Sequence, residues 1–238
     1  MGQLDGKVAI VTGGGSGIGR AIATLFAQEG CCVAIAGRTV ARLEAAAEEM
    51  RQAGAEVLAV PTDVANEEQI AALFAQTMEK FGRLDVLVNS AGAFDGGPVE
   101  DISLEAWNNV VCANLTGPFL CTREAFRIMK PAGGGRIINI GSISAQRSRM
   151  HSSPYTATKF GVDGLTHATA LEGREYGIAV SSLHPGNTMV ERRVDVDEPM
   201  FDADVIARTA LFMATLPPEA NMFQAIVLPL EQLYIGRG

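Results

Sequence analysis

The stretch SPYTATKFG, residues 153–161, sets a phenol and an ammonium four positions apart in a chain with only three tyrosines. In a helix, Tyr155 and Lys159 lie on one face, one turn apart. A phenol trades its proton near neutrality only with help, because its ordinary pKa is about 10. A positive charge about 4 Å away contributes roughly 4 kcal/mol at an effective dielectric constant of 20, against an opposing push from burial. The pair therefore suits acid–base work on an alcohol or carbonyl oxygen. An exposed helix face gives the same spacing by chance, so the rest of the chain has to decide.

A second stretch, TGGGSGIGRAI at residues 12–22, follows the apolar run VAIV and opens a helical pattern. Gly13, Gly17 and Gly19 read T-G-x-x-x-G-x-G, two residues looser than the G-x-G-x-x-G dinucleotide fingerprint. Glycines let the backbone approach a pyrophosphate, and free N–H groups at the helix start receive its charge. A plain flexible turn is the alternative, which the position between a first strand and a helix start disfavours. The next apolar run ends in Gly37-Arg38-Thr39. An acid there would bond the ribose 2′-OH of NAD, whereas an arginine can pair with the 2′-phosphate of NADP. Arg38 thus favours NADP, with NAD still possible, and a solvated surface arginine is the plain alternative. Thr62-Asp63-Val64 follows the third run, where Asp63 can accept from an adenine amino group, cap the helix beginning near Asn66, or do both.

The elements that must position these residues are legible from periodicity. Apolar, β-branched runs mark strands at 7–12, 31–36, 56–60, 85–88, 135–140, 178–183 and 225–229. Helical periodicity covers roughly 17–29, 40–53, 66–81, 103–130, 155–175 and 202–215. Near-continuous apolar strands suit a parallel sheet covered on both faces. The βα alternation predicts one α/β domain over 1–238, a doubly wound, Rossmann-like sheet of seven parallel strands with helices on both faces. Ligands of such a sheet gather at the carboxyl ends of the strands.

Further polar and glycine clusters fall at those ends: Asn89-Ser90-Ala91-Gly92, Gly141-Ser142-Ile143-Ser144 and His184-Pro185-Gly186-Asn187-Thr188. Ser142 stands thirteen residues before Tyr155. With the glycine turn and Tyr155-x-x-x-Lys159, this order resembles a classical short-chain dehydrogenase/reductase. The resemblance implies Tyr155 as catalytic acid/base, Lys159 as its electrostatic partner and a ribose ligand, and Ser142 as the hydroxyl that polarises a carbonyl. It implies a fourth catalytic residue in Asn114, within NVVCANLTG, holding a water that links the lysine to solvent; a helix kink next to Pro118 is the other reading. Gly13, Ser16, Gly17, Ile18 and Gly19 would hold the cofactor phosphates. Asn89, Ala91 and Gly92 would line the ribose and nicotinamide path, and Pro185, Gly186 and Thr188 would flank the carboxamide.

The resemblance further implies hydride transfer between NADP(H) and a secondary alcohol or carbonyl, and a homodimer or homotetramer built on the helices at 103–130 and 155–175. The apolar residues Val110, Val111, Leu115, Phe119, Leu120, Phe160, Val162 and Leu165 lie along those helices. The C-terminal tail lacks the V-D-G-G ending of the fatty-acid reductase branch and looks more like the branch acting on hydroxy acids and other small carbonyls. Residues 187–201 read as a substrate-covering loop in which Arg192 and Arg193 could meet an acidic substrate. A nucleotide-sugar epimerase would need a larger C-terminal substrate domain. A nicotinamide-binding sensor without turnover would have no need of Ser142, Tyr155 and Lys159 together.

A formal charge of −8 argues against nucleic-acid and anionic-membrane partners, and no apolar run reaches membrane-spanning length. VAIVT runs straight into glycines and so reads as a strand, not as a signal peptide. The four cysteines, Cys31, Cys32, Cys112 and Cys121, have no metal-ligand spacing and read as buried free thiols of a cytoplasmic protein. His151 and His184 stand near the expected cleft but are left outside the catalytic set.

Overall fold

The computed structural model describes residues 2–191 and 198–233, which leaves Arg192 and Arg193 outside the described residues. Its strands are β1 (Val8–Thr12), β2 (Cys32–Gly37), β3 (Val57–Pro61), β4 (Val86–Asn89), β5 (Gly135–Ile140), β6 (Ile178–Pro185), β7 (Thr188–Met189), β8 (Phe201–Asp202) and β9 (Gln224–Val227). Seven of them form one sheet in the order β3-β2-β1-β4-β5-β6-β9, and every pairing in it is parallel. The chain works outward from β1 to β3, then crosses back and continues from β4 on the other side. The order reverses between β1 and β4, so a crevice opens above their carboxyl ends.

The helices are α1 (Gly17–Gln28), α2 (Val40–Gln52), α3 (Glu67–Phe81), α4 (Leu104–Val111), α5 (Gly117–Ala132), α6 (Ser153–Gly173) and α7 (Ala203–Thr215). Successive strand residues point to opposite faces, and both faces of β1 are buried. Ala9 and Val11 pack with Ile22 and Phe26 of α1, Leu43 of α2 and Ile206 of α7. Ile10 points the other way, into Ile70 and Phe74 of α3 and Leu120 and Met129 of α5. Burying each large side chain is worth about 1.5–3 kcal/mol, which is why the strands read as unbroken apolar runs.

The expected strands and helices are present, with ends shifted by at most two residues. Two features were not expected. The helix read over 103–130 is interrupted by one π-helical turn at Cys112–Thr116, between α4 and α5. Beyond β6, Thr188 and Met189 pair with Phe201 and Asp202, so the two ends of the 187–201 loop are tied together. No helix among the described residues is long and apolar enough to cross a membrane.

All four cysteines are free, but only Cys31 and Cys121 are buried, which corrects the expectation for Cys32 and Cys112. Burial pushes the thiols of Cys31 and Cys121 up to about 12, so both stay protonated and inert. Val110, Leu120 and Val162 also lie in the chain's own core and are not free to build a subunit contact.

Asp85, just before β4, ties the bottom of the sheet together. It accepts from the Val8 N–H at 3.0 Å and from the Arg83 guanidinium at 2.6 and 2.8 Å, with Lys7 at 3.3 Å. Burial alone would raise its pKa, but the Arg83 hydrogen bonds, the Val8 amide and the nearby cations hold it below the ordinary aspartate value. A depressed folded pKa gives stability that is complete above the unfolded value, about 4, and is lost as pH falls through the folded value. Denaturant titrations of Asp85→Asn should therefore show a shallower loss of stability below about pH 4 than the parent chain shows. Identical acid limbs would remove Asp85 as a source of acid sensitivity.

Candidate active site

The turn after β1 is built from glycines because nothing larger fits. Gly13 has φ +72°, and a Cβ there would stand 3.0 Å from the Ala91 backbone across the crevice. A Cβ on Gly19 would overlap the Gly13 carbonyl, where α1 packs against the turn that precedes it. Ser16 makes no side-chain cap and the first turn of α1 holds no acid, so its N–H groups remain available to an anion. This close-approach cradle with uncapped amides fits a dinucleotide pyrophosphate.

Across the crevice, the loop after β4 is held by Thr12, a residue not singled out from sequence. Its Oγ1 accepts from the Ser90 and Ala91 N–H groups at 3.0 and 3.1 Å. A lone hydroxyl at the carboxyl end of an apolar strand was the available signal. Asn89 sits differently from the expected lining role. Its side chain is buried beneath the crevice, donating to Asn139 Oδ1 at 2.8 Å and to Thr122 Oγ1 at 3.3 Å. Asn139 in turn donates to Thr166 Oγ1, so a polar ladder crosses the core from α5 to α6. Asn89 Oδ1 has no partner of its own. Only the backbone of Asn89 is left to face a ligand, with Ala91 and Gly92 following it.

The reactive group is assembled by β5, α6 and the π turn. Ser142 follows β5 directly, and its Oγ accepts from the Ser144 N–H at 3.1 Å, which leaves the hydroxyl proton free to donate elsewhere. Tyr155 and Lys159 share one face of α6, as the spacing requires. Lys159 is 7% exposed, and its Nζ lies 5.5 Å from the centre of the Tyr155 ring. That ammonium donates to the Ile140 carbonyl at 2.7 Å, an anchor on the last residue of β5. Asn114 lies in the π turn, so the kink and the site are one feature. Its Oδ1 accepts from the Ala93 N–H at 2.7 Å, and its Nδ2 donates to Ala93 O at 2.9 Å and to Thr158 Oγ1 at 3.2 Å. The turn thus clamps the loop after β4 against α6. Such inserted turns recur at functional sites because they rotate a side chain off the helical register.

The remaining residues follow other strands of the sheet. Arg38 is exposed just beyond β2 and forms no salt bridge among the described residues. Asp63 accepts from the Ala65 N–H at 3.0 Å, while the α3 cap belongs to Asn66, which accepts from Gln69 N–H. Val64 is buried against Gly117 at the start of α5. Pro185 ends β6, and Thr188 Oγ1 donates to Gly186 O at 3.1 Å. Arg149 bridges Asn187 and Glu198 at 2.7 and 2.9 Å, holding the 187–201 loop from the serine side. Phe94, also missed from sequence, meets the Tyr155 ring edge-on at 5.3 Å and is largely exposed.

Known proteins share this fold and much of this sequence. The family described as short chain dehydrogenase matches residues 7–200. An uncharacterized oxidoreductase of Thermotoga maritima is 43% identical over 184 residues, 77% of this chain and 72% of the relative. A 3beta-hydroxysteroid dehydrogenase of Mediterraneibacter gnavus is 39% identical over 189 residues, covering 79% and 68%. Among solved structures, an actinorhodin polyketide ketoreductase with NADPH superposes with TM-score 0.89 at 31% identity, covering 96% of this chain and 98% of that one. With its doubly wound sheet, glycine turn and Tyr-x-x-x-Lys helix, the chain belongs to the short-chain dehydrogenase/reductase family of oxidoreductases.

Proposed function

We propose that this chain interconverts a secondary alcohol and a carbonyl with NADP(H), using Tyr155 as acid and base. The observation that carries this reading is the buried Lys159 ammonium beside the Tyr155 ring, anchored on the last residue of β5, two residues before Ser142. The bound nicotinamide supplies or accepts the hydride. In reduction, the Ser142 hydroxyl donates to the carbonyl oxygen, which becomes an alkoxide as the carbon gains hydride. Tyr155 gives that oxygen its proton, and Lys159 stabilises the phenolate left behind. In oxidation, the phenolate takes the alcohol proton and the same hydrogen bonds hold the oxygen. Donors aimed at a developing oxyanion are typically worth a few kcal/mol. Asn114 keeps α6 and the β4 loop in register around these groups, in the place where the family's fourth catalytic residue would stand.

Phe94 supports an apolar, ring-bearing substrate. An exposed aromatic ring set edge-on to the acid/base offers a stacking surface beside the reacting oxygen. The test is a cofactor-oxidation screen with NADPH and NADH against ketones and aldehydes of varied size and charge. Turnover of apolar cyclic or aromatic ketones is expected. Tight cofactor binding without oxidation of either cofactor across the panel would instead favour a nicotinamide sensor.

Arg38 supports NADPH over NADH. Charge-assisted hydrogen bonds to a phosphate are worth about 1.5–3 kcal/mol, so Arg38→Ala should raise KM for NADPH by about 10- to 100-fold. KM for NADH should move by less than about threefold, because NADH has no 2′-phosphate to lose. Parallel changes for both cofactors would contradict the assignment.

Assembly into a homodimer or homotetramer rests on Leu104, Trp107, Phe119 and Phe160, apolar residues left exposed on α4, α5 and α6. Sedimentation should give a mass of two or four times 25.1 kDa. A single-chain mass would exclude this.

A further inference from the structure

His184 is completely buried at the end of β6, and the reaction described above makes no use of it. Its ring packs against Gly141, where any Cβ would overlap the imidazole. One nitrogen, Nδ1, lies 3.0 Å from the Ser142 carbonyl oxygen and 3.3 Å from the Ser142 amide nitrogen. The other, Nε2, lies 2.9 Å from Ser182 Oγ and 3.4 Å from Asp163 Oδ1. Asp163 Oδ1 receives the Ser182 hydroxyl at 3.1 Å and Gln224 Nε2 at 2.8 Å.

Counting protons resolves the chain. A carboxylate only accepts, and a hydroxyl has one proton to give. Asp163 takes the Ser182 proton, so Nε2 must itself be the donor to Ser182 Oγ. In the neutral ring Nδ1 is then bare and accepts the Ser142 N–H at 3.3 Å, whereas in the charged ring Nδ1–H donates to the Ser142 carbonyl oxygen at 3.0 Å; in either form Nδ1 grips the Ser142 backbone. We infer that His184, with its tautomer fixed by Asp163 through Ser182, is a positioning residue that holds the backbone of Ser142 and thereby aims the hydroxyl of Ser142 at the substrate oxygen. A donor misplaced by about 1 Å can cost a hundredfold in rate, so a buried clamp on that backbone has a consequence for turnover. The kinetic part of this inference rests on the proposed oxidoreductase reading; the tautomer does not.

The chain holds only three histidines, His151, His167 and His184, so 15N-histidine labelling gives a tractable spectrum. His184 is expected to carry a proton on Nε2, and Asp163→Asn, which can itself donate to Ser182, should populate the form protonated at Nδ1 alone. A wild-type ring protonated at Nδ1 alone, or a tautomer unmoved by Asp163→Asn, overturns the inference. Kinetics are then read with NADPH and an aromatic ketone. His184→Ala should lower kcat by about 10- to 100-fold, while KM for NADPH changes less than about threefold. His184→Asn, whose side-chain amide reaches the Nδ1 position, should recover part of that loss. An unchanged kcat in a folded His184→Ala protein, or equal losses for Ala and Asn, overturns the positioning role. If the parent chain oxidises no NADPH with any ketone, the functional reading fails, while the tautomer measurements still decide the His184–Asp163 linkage.

Discussion

Tyr155→Phe is expected to lower kcat by about 10²- to 10⁴-fold, the range that a positioned general acid or base contributes. The substitution removes one oxygen and leaves the rest of the site in place. The phenylalanine ring keeps the edge-on contact with Phe94 and remains beside the Lys159 ammonium. Among the described residues no side-chain hydrogen bond holding the fold passes through the phenol, whereas the Tyr155 backbone carbonyl still accepts from Thr158. The affinity for NADPH should therefore stay within about threefold of the parent, and the melting temperature should barely move. Fluorescence titration of the cofactor and steady-state turnover on the same samples separate the two effects. Retention of more than about a tenth of the parent activity would refute Tyr155 as the acid/base, because loss of the positioned general acid cannot be so mild.

How much of this was legible in the sequence depends on whether a residue acts through its neighbours in the chain or through the fold. The apolar runs disclosed the strands because a doubly covered parallel sheet needs continuous burial, and VAIVT and CVAIAG show it. The glycine turn was legible because its constraint is local: a turn, a helix start and an approach to backbone. Tyr155 and Lys159 were legible because one helical turn fixes their relation. Other features depend on contacts between distant segments. Pro118 hints at a kink near Asn114, but it also suits the start of an ordinary helix, and the extra residue of a π turn has no local signature beside Ala113 and Leu115. The family resemblance placed Asn89 on the cofactor path, yet its amide turns inward to Asn139 on the adjacent strand. Strand register, not spacing along the chain, creates that pair. The link from Asp163 through Ser182 and His184 to Ser142 likewise joins α6, β6 and the end of β5, and each residue alone looks like an ordinary polar side chain.

Lys159→Ala should damage more than Tyr155→Phe does, and in a different pattern. The ammonium is almost wholly buried and donates to the Ile140 carbonyl, so it is both a charge and a strut between α6 and β5. Loss of a charge worth roughly 4 kcal/mol to a phenolate corresponds to a fall in kcat of about a thousandfold. Loss of a ribose ligand should raise the dissociation constant for NADPH by about tenfold or more. The abandoned Ile140 carbonyl should also cost about 1–3 kcal/mol of stability, visible in denaturant titration. Lys159→Met, which keeps the length and fills the space without the charge, removes the cavity from the comparison. If both variants bind NADPH and turn over as the parent does, the double role is wrong. If stability falls while turnover and cofactor affinity hold, Lys159 is a strut alone, and Tyr155 must draw its reactivity from elsewhere. The expected result is that chemistry, cofactor affinity and stability fall together in Lys159→Ala, whereas only chemistry falls in Tyr155→Phe. That contrast distinguishes a phenol that reacts from an ammonium that makes it reactive.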